Sequence, residues 1–305
     1  MPQQQTRVWT IRELMTFAID HLRRHGIADA RLNVELLLSY TLHCQRINLY
    51  TNFDKPLTSD ELRAFRTLYE RRLNREPVQY IVESVSFMGL QLKVDRRALV
   101  PRPETETLVE QTMLACQRHA GANAVLILEV GTGCGNIAVA LAKFVRNAFI
   151  RSIDISSEAL EVARLNAEAH GVQERISCEQ ADVFGSLETL VPQPFDLLVS
   201  NPPYVALDEW GGLQEEIRNY EPKLAVTDMS DGYRFHRRII ELAPRLLREG
   251  GEVLLEVGFG QSERVTDMMK AAGFSDLSVT PDLQGVPRVA VGSCPARPRD
   301  SGAAD

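Results

Sequence analysis

The sequence predicts an α/β fold, a doubly wound parallel sheet preceded by a small helical bundle, and three patterns carry that expectation. From Pro103 onward, short apolar runs alternate with helical patterns, as parallel β-α-β units require. From Thr10 to about Asn74 the apolar residues recur with helical spacing alone. Between these regions, residues 78–100 alternate apolar and polar around Met88-Gly89, which predicts a connecting hairpin. With 305 residues and 44% hydrophobic content, the chain can bury one large or two modest cores. The expected divisions are 1–76 for the bundle, 77–102 for the hairpin, 103–293 for the sheet domain and 294–305 for a disordered tail. Disorder is also expected over residues 1–8.

Within the bundle, Ile11, Leu14, Met15, Ala18, Ile19 and Leu22 form one stripe, and Gly26 stops the first helix. A second helix runs through Val34–Tyr40, and a third starts near Thr58, where Glu61 completes a capping box. Pro103-Glu104-Thr105-Glu106 opens the next helix, with proline and acids in its first turn. Strands are expected at 125–130, 149–154, 175–179, 195–200, 251–258, 275–280 and 287–292. The last two lie close enough to pair antiparallel. Residues 205–230 contain Gly211-Gly212 and no clear period, which suits a lid beside a site.

Composition narrows the function. A formal charge of −7 argues against extended nucleic-acid binding, which needs clustered cations. The clusters Arg71, Arg72, Arg75 and Arg234, Arg237, Arg238 read as solvated helix faces. Five scattered cysteines with no Cys-x-x-Cys spacing favour reduced thiols over disulfides or zinc. The histidines form no ligand pair, and His21 and His25, one helical turn apart, read as surface residues. No metal site is expected. Nothing approaches a run of about 18 apolar residues, so a soluble, cytoplasmic chain with no membrane partner is expected.

Two motifs carry the chemistry. The apolar strand Val125–Val130 leads into Gly131-Thr132-Gly133-Cys134-Gly135 and then a helical run from Asn136, a turn that lets backbone approach a cofactor. The third glycine arrives one residue earlier than in the dinucleotide fingerprint. Cys134 fills the turn as a small neutral side chain. Asp154, 23 residues past Gly131, ends the next strand where an acid can receive two ribose hydroxyls. Asp182-Val183-Phe184 follows a third strand, where an acid and apolar neighbours suit an adenine ring. The second motif, Asn201-Pro202-Pro203-Tyr204, follows the apolar strand Asp196–Ser200. Asn201 offers a side-chain carbonyl, the Pro202 and Pro203 carbonyls escape pairing with a proline N–H, and Tyr204 can stack on a flat group. Two aligned acceptors suit a planar NH2. A carboxylate would leave buried acceptors unpaired at roughly 1–3 kcal/mol each.

In this order the pieces resemble the class I S-adenosylmethionine-dependent methyltransferases, with their Rossmann-like seven-stranded sheet. Arg75-Glu76-Pro77-Val78-Gln79-Tyr80-Ile81 and Val100-Pro101-Arg102-Pro103-Glu104-Thr105-Glu106 narrow the likeness to the release factor glutamine methyltransferases, the HemK/PrmC family. Glu221-Pro222, Asp231-Gly232, Glu256-Val257-Gly258, Gln261 and Arg288-Val289 extend it from about Ala28 to Val291. The resemblance implies methyl transfer from S-adenosyl-L-methionine to N5 of the glutamine in the Gly-Gly-Gln motif of class I peptide chain release factors. That reaction modulates translation termination, and no direct nucleic-acid partner is implied. It assigns the target amide to Asn201, Pro202, Pro203 and Tyr204, with Arg102 and Glu104 shaping the pocket or bracing the domains. It assigns the methyl donor to Gly131, Thr132, Gly133, Cys134, Gly135, Asp154, Asp182, Val183 and Asn201. Glu129 would fix the turn or the ammonium, and the bundle would dock the release factor. This chain departs from the family pattern in having Glu129 where Asp is common, and Tyr233 and His236 in the lid region. A rival target is an exocyclic amino group of a flipped nucleobase, which uses the same Asn-Pro-Pro-Tyr logic.

Overall fold

The computed structural model describes residues 8–119, 124–185 and 194–294, so residues 1–7 and most of the expected tail lie outside the described residues. The chain forms two compact units. One comprises the residues up to Ser84 together with Gln214–Tyr220, and the other comprises Val85–Leu213 and the residues from Glu221 on.

In the helical unit, α1 (Ile11–Arg24) starts at Thr10, whose side chain and that of Glu13 form a capping box. Ile11, Leu14, Met15, Ala18 and Leu22 are its buried stripe. It packs on α2 (Ala30–Thr41), followed by α3 (Arg46–Thr51) and α4 (Ser59–Leu73), the last opened by the Thr58–Glu61 capping box. The short α5 (Val78–Ile81) follows Pro77. Helix α3 is an addition to the expected bundle. Six residues carry too little periodicity to reveal it; Glu35 of α2, 1% exposed, holds it by accepting from Arg46 and Tyr50.

The expectation of solvated faces fails for the first arginine cluster. Arg72 is 5% exposed, and its guanidinium donates to Asn33 Oδ1 at 2.6 Å, the Glu76 carbonyl at 3.3 Å and Glu216 Oε1 at 2.9 Å. Arg71 grips Glu76 with two bonds, and Arg75 donates to the carbonyls of His25 and Gly26. Tyr220 donates to the Asn74 carbonyl at 2.6 Å. His21 is likewise no plain surface residue, since its Nδ1 lies 2.9 Å from the hydroxyl of buried Tyr69.

The second unit begins at Val85, within the hairpin β1 (Ser84–Phe87) and β2 (Leu90–Lys93), and α6 (Thr105–His119) follows. The sheet then builds through β3 (Val125–Val130), α7 (Asn136–Phe144), β4 (Ala148–Asp154), α8 (Ser157–Ala169), β5 (Ile176–Gln180) and β6 (Phe195–Ser200). Residues 205–230, expected to lack structure, hold the short helices α9 (Glu215–Tyr220) and α10 (Lys223–Val226). The chain closes with α11 (Arg234–Leu246), β7 (Leu247–Glu256), α12 (Ser262–Ala271), β8 (Ser275–Pro281) and β9 (Pro287–Ser293). The seven strands lie in the order β5-β4-β3-β6-β7-β9-β8, parallel except for β9, which is antiparallel to both β7 and β8. The chain runs outward through β4 and β5, then crosses back to β6, so the order reverses between β3 and β6. Ligands of open α/β sheets bind at such a reversal, outside the carboxyl ends of the strands. The central strands β3 and β6 are buried along nearly their whole length, which explains their unbroken apolar runs.

Because Arg72 is buried with three kinds of acceptor, Arg72→Met is expected to leave Asn33 without its donor and Glu216 with only the more distant Arg75, 3.5 Å away, and to destabilise the helical unit by about 2–4 kcal/mol. Urea unfolding followed by circular dichroism reads this directly. An unchanged midpoint would show that the network adds nothing.

Candidate active site

The glycine turn after β3 is fastened to the end of β4. Gly131 and Thr132 donate to the Ile153 carbonyl at 2.8 and 3.2 Å, and Gly133 donates to Asp154 Oδ2 at 2.9 Å. The other Asp154 oxygen accepts from Ser156, the N-cap of α8, at 2.9 Å. Asp154 is thus held against the turn by two backbone amides, while burial pushes its carboxyl pKa up. Behind the turn, Thr132 bonds Ser152 at 2.8 Å, and Ser152 donates to Glu129. Glu129 is fully buried, with Oε1 unpaired, and burial pushes its carboxyl up to about 8.

A cavity of about 530 Å³ opens at this end of the sheet. Gly131, Thr132, Gly133, Asp154, Asp182 and Val183 all line it, and so do Asn201, Pro202, Pro203 and Arg102. Glu129, Cys134, Gly135 and Glu104 do not. Cys134 is buried, and burial raises its thiol to about 12, in keeping with an inert filler. Gly135 has φ +81°, and a Cβ there would lie 3.0 Å from that of Ala163, so this glycine serves the packing of α7 on α8.

Arginines of α11 shape the far wall. Arg234 lies 4.3 Å over the Phe184 ring, which meets Phe235 edge-on, and Arg238 donates to the Val183 carbonyl at 3.0 Å. Arg237 pairs with Asp231 and holds its carboxyl down to about 2. The second arginine cluster does lie on a solvated face at Arg234 and Arg237, which are exposed, yet each of its three arginines also has a partner. Sequence spacing shows the cluster but cannot show partners some 50 residues away.

Asn201 follows Ser200, whose hydroxyl donates to the Val130 carbonyl at 2.7 Å across the strand reversal. Its amide Nδ2 donates to Thr105 Oγ1, at the start of α6, at 3.0 Å. Tyr204 is not on the cavity wall; its hydroxyl points to Glu256 Oε1, 3.4 Å away, and burial raises its pKa. The Tyr204 carbonyl accepts from Gln261 Nε2 at 2.9 Å, while Gln261 Oε1 accepts from Gly258 at 2.9 Å. Gly232, at φ +83°, presses on the same carbonyl; a Cβ there would come within 2.7 Å. His236 is fully buried and donates from Nε2 to the Glu256 carbonyl at 2.8 Å. Arg102 pairs at 2.6 Å with the buried Glu221, which also accepts from the Val100 amide, and Glu106 accepts from the Met88 amide at 2.7 Å. Thr105 and Arg234 line the cavity, and Glu256 and Gln261 pack behind it, although the motifs alone did not mark them as site residues.

Among the described residues, no cluster of three or more His, Cys, Asp or Glu could hold a metal, and no helix is long and apolar enough to cross a membrane.

A sheet of this order, with a glycine turn and Asn201-Pro202-Pro203 on one cavity, is that of a methyltransferase, and residues 122–272 match the family described as a methyltransferase domain. The catalytic domain of hMettl16 in complex with the MAT2A 3′UTR hairpin 6 shares the fold, with a TM-score of 0.54 and 15% identity over 78% of this chain and 82% of that one. Residues 13–82 match the PrmC N-terminal domain. The chain is 42% identical to the release factor glutamine methyltransferase of Chlorobaculum tepidum, covering 94% of this chain and 98% of that protein. Identity to the release factor glutamine methyltransferase of Geobacter sulfurreducens is also 42%, over 95% and 98% of the two chains. The protein belongs to the release factor glutamine methyltransferase family.

Glu129 gives the site a pH signature. Its folded pKa of about 8 lies above the ordinary carboxylate value, so the folded protein keeps a proton that the unfolded chain releases. That contribution is complete below the unfolded pKa and is lost as pH rises through about 8. Glu129→Gln, neutral at every pH, is expected to flatten this loss by up to about 1.4 kcal/mol per pH unit. Urea midpoints measured at mildly acidic and mildly alkaline pH check it; parallel pH dependences in both proteins would refute it.

Proposed function

We propose that this chain transfers a methyl group from S-adenosyl-L-methionine to the side-chain amide nitrogen, N5, of the glutamine in the Gly-Gly-Gln motif of class I peptide chain release factors. It would thereby modulate translation termination in the cytoplasm. The observation that supports this best is the sharing of one cavity by Asn201-Pro202-Pro203 and by the glycine turn with Asp154, Asp182 and Val183. The volume of about 530 Å³ lies within the usual range for small-molecule sites.

The residues present fit the methyl donor. Asp154 offers acceptors to ribose hydroxyls, Gly131 and Gly133 leave room for a methionine backbone, and Val183 with Phe184 gives an apolar wall for adenine. Glu129, turned inward on Ser152, fixes the turn rather than an ammonium. When bound, S-adenosylmethionine supplies a methyl group already activated on a sulfonium.

The protein's work is then on the amide. An amide nitrogen is a poor nucleophile because its lone pair is delocalised. Asn201 Oδ1 and the Pro202 carbonyl accept from its two N–H bonds, which raises electron density on nitrogen and aligns it for in-line attack. The N–CH3 bond forms as the S–CH3 bond breaks, and the nitrogen's surplus proton leaves to water. No general base is needed beyond that. Arg102, fastened to Glu221, borders the target side of the cavity. The helical unit is assigned to release factor docking, with recognition by protein surface rather than by direct nucleic-acid contact.

Mass spectrometry of a release factor incubated with the protein and S-adenosylmethionine tests the reading. One added methyl on the Gly-Gly-Gln glutamine is expected, with Asn201→Ala slowing transfer on the order of 10²–10³-fold. Asp154→Ala is expected to weaken cofactor binding, read by calorimetry, by about 10–100-fold through loss of charge-assisted hydrogen bonds. Methylation at another residue, or an active Asn201→Ala enzyme, would sink the assignment.

A further inference from the structure

The wall formed by Asp182, Val183 and Phe184 is held from behind by a residue that does not line the cavity. Arg238, on the second turn of α11, is half-buried. Its Nε donates to the Val183 carbonyl at 3.0 Å, and a terminal nitrogen donates to the Gly185 carbonyl at 3.3 Å. Glu241, one turn further along the same helix, takes the remaining nitrogen at 3.1 Å. A guanidinium is a planar fork whose donors keep a fixed spacing, so the two carbonyls are set relative to each other.

The Val183–Phe184 peptide is the unit this fork controls. A peptide is planar, so its C=O and its N–H turn together. Here the C=O accepts from Arg238, and the N–H donates to Asp182 Oδ1 at 2.9 Å. Two opposed grips hold the plane in one orientation. Gly185 closes the turn by donating to the Asp182 carbonyl at 2.9 Å, and Arg234 covers the Phe184 ring from the same helix at 4.3 Å. With Oδ1 occupied by the backbone, Asp182 has Oδ2 left for a ligand, on the cavity wall beside Val183.

A carboxylate oxygen accepts hydrogen bonds and donates none. Held beside an apolar wall, it receives an amino group on a flat base and repels a keto oxygen in the same place. We propose that Arg238 is a positioning residue for the cofactor, fixing the Val183–Phe184 peptide and, through it, the Asp182 oxygen that distinguishes a 6-amino purine from a 6-oxo purine. The proposal rests on the reading that this wall holds the adenine of S-adenosylmethionine. Without the fork the peptide is free to turn, and its N–H leaves Asp182 Oδ1. The carboxylate then gains rotamers in which neither oxygen faces the base, so affinity and base preference fall together.

Calorimetry with S-adenosylhomocysteine and its inosine analogue tests this without turnover. The wild-type protein is expected to prefer the adenine ligand on the order of 10²-fold. Arg238→Met is expected to weaken S-adenosylhomocysteine binding on the order of 10-fold and to leave the inosine analogue nearly unchanged, so the preference narrows by that factor. In steady state, KM for S-adenosylmethionine rises while kcat at saturating cofactor and KM for the release factor hold, a split that general loss of structure would not give. Arg238→Lys, which keeps one donor near the carbonyls, falls between the two proteins. Should Arg238→Met fail to fold, Arg238→Lys carries the test and must narrow the preference at a wild-type urea midpoint. Wild-type affinity and preference in the folded variant, or equal weakening of both ligands, overturns the proposal and leaves the cofactor reading intact. If the wild-type protein binds both ligands equally, the assignment of this wall to adenine falls too; if it binds neither, the cofactor reading falls with it.

Discussion

The site depends on the pairing of β3 with β6 at the point where the strand order reverses. Val130 and Ser200 are register partners, and the Ser200 hydroxyl caps the Val130 carbonyl at 2.7 Å. One residue further along each strand stand Gly131 and Asn201. A Cβ on Gly131 would sit 3.7 Å from the Asn201 carbonyl, so the two turns leave the sheet side by side. The glycine turn and the Asn-Pro-Pro-Tyr segment meet there without any intervening layer. Apolar burial of both strands fixes the register, because a one-residue slip would turn every side chain to the opposite face.

Around this junction the protein buries polar groups that a simple core would exclude. Glu129, Ser152, Thr132, His236 and Glu256 are each at most 1% exposed. Such groups add little net stability, since desolvation offsets much of the gain from pairing. Their effect is to remove freedom. Each hydrogen bond sets the orientation of a turn or side chain that would otherwise sample several, and a reacting geometry tolerates little error. Gln261 shows this economy well: one amide holds both the Tyr204 carbonyl and the Gly258 amide.

Much of the fold was legible because its signals are local. β3 and β6 are continuous apolar runs, and the glycine turn and Asn-Pro-Pro-Tyr are contiguous in sequence. β7 was read from residue 251, yet it starts at Leu247, because its exposed Arg248-Glu249-Gly250 stretch has the composition of a turn. α3 was missed because its stability comes from Glu35 rather than from its own period. The site was legible on the cavity wall and illegible behind it. Whether Glu129 faces a ligand or Ser152 depends on which layer covers that face of β3. The α11 arginines are solvent-facing as their spacing suggests, but the stacking of Arg234 on Phe184 is illegible because that ring lies far away in sequence.

The composition of the helical unit carries a consequence for synthesis. Arg72 and its partner Glu216 are separated by 144 residues, although both belong to that unit. A growing chain exposes α1 to α4 long before the segment that completes their surface exists. Until Glu216 has left the ribosome, Arg72 has Asn33 and the Glu76 carbonyl but not its countercharge, so the bundle matures only after the central strands have been made. The module that is first in sequence is thus among the last to be finished, and a nascent chain stalled short of residue 216 carries it in an incomplete form.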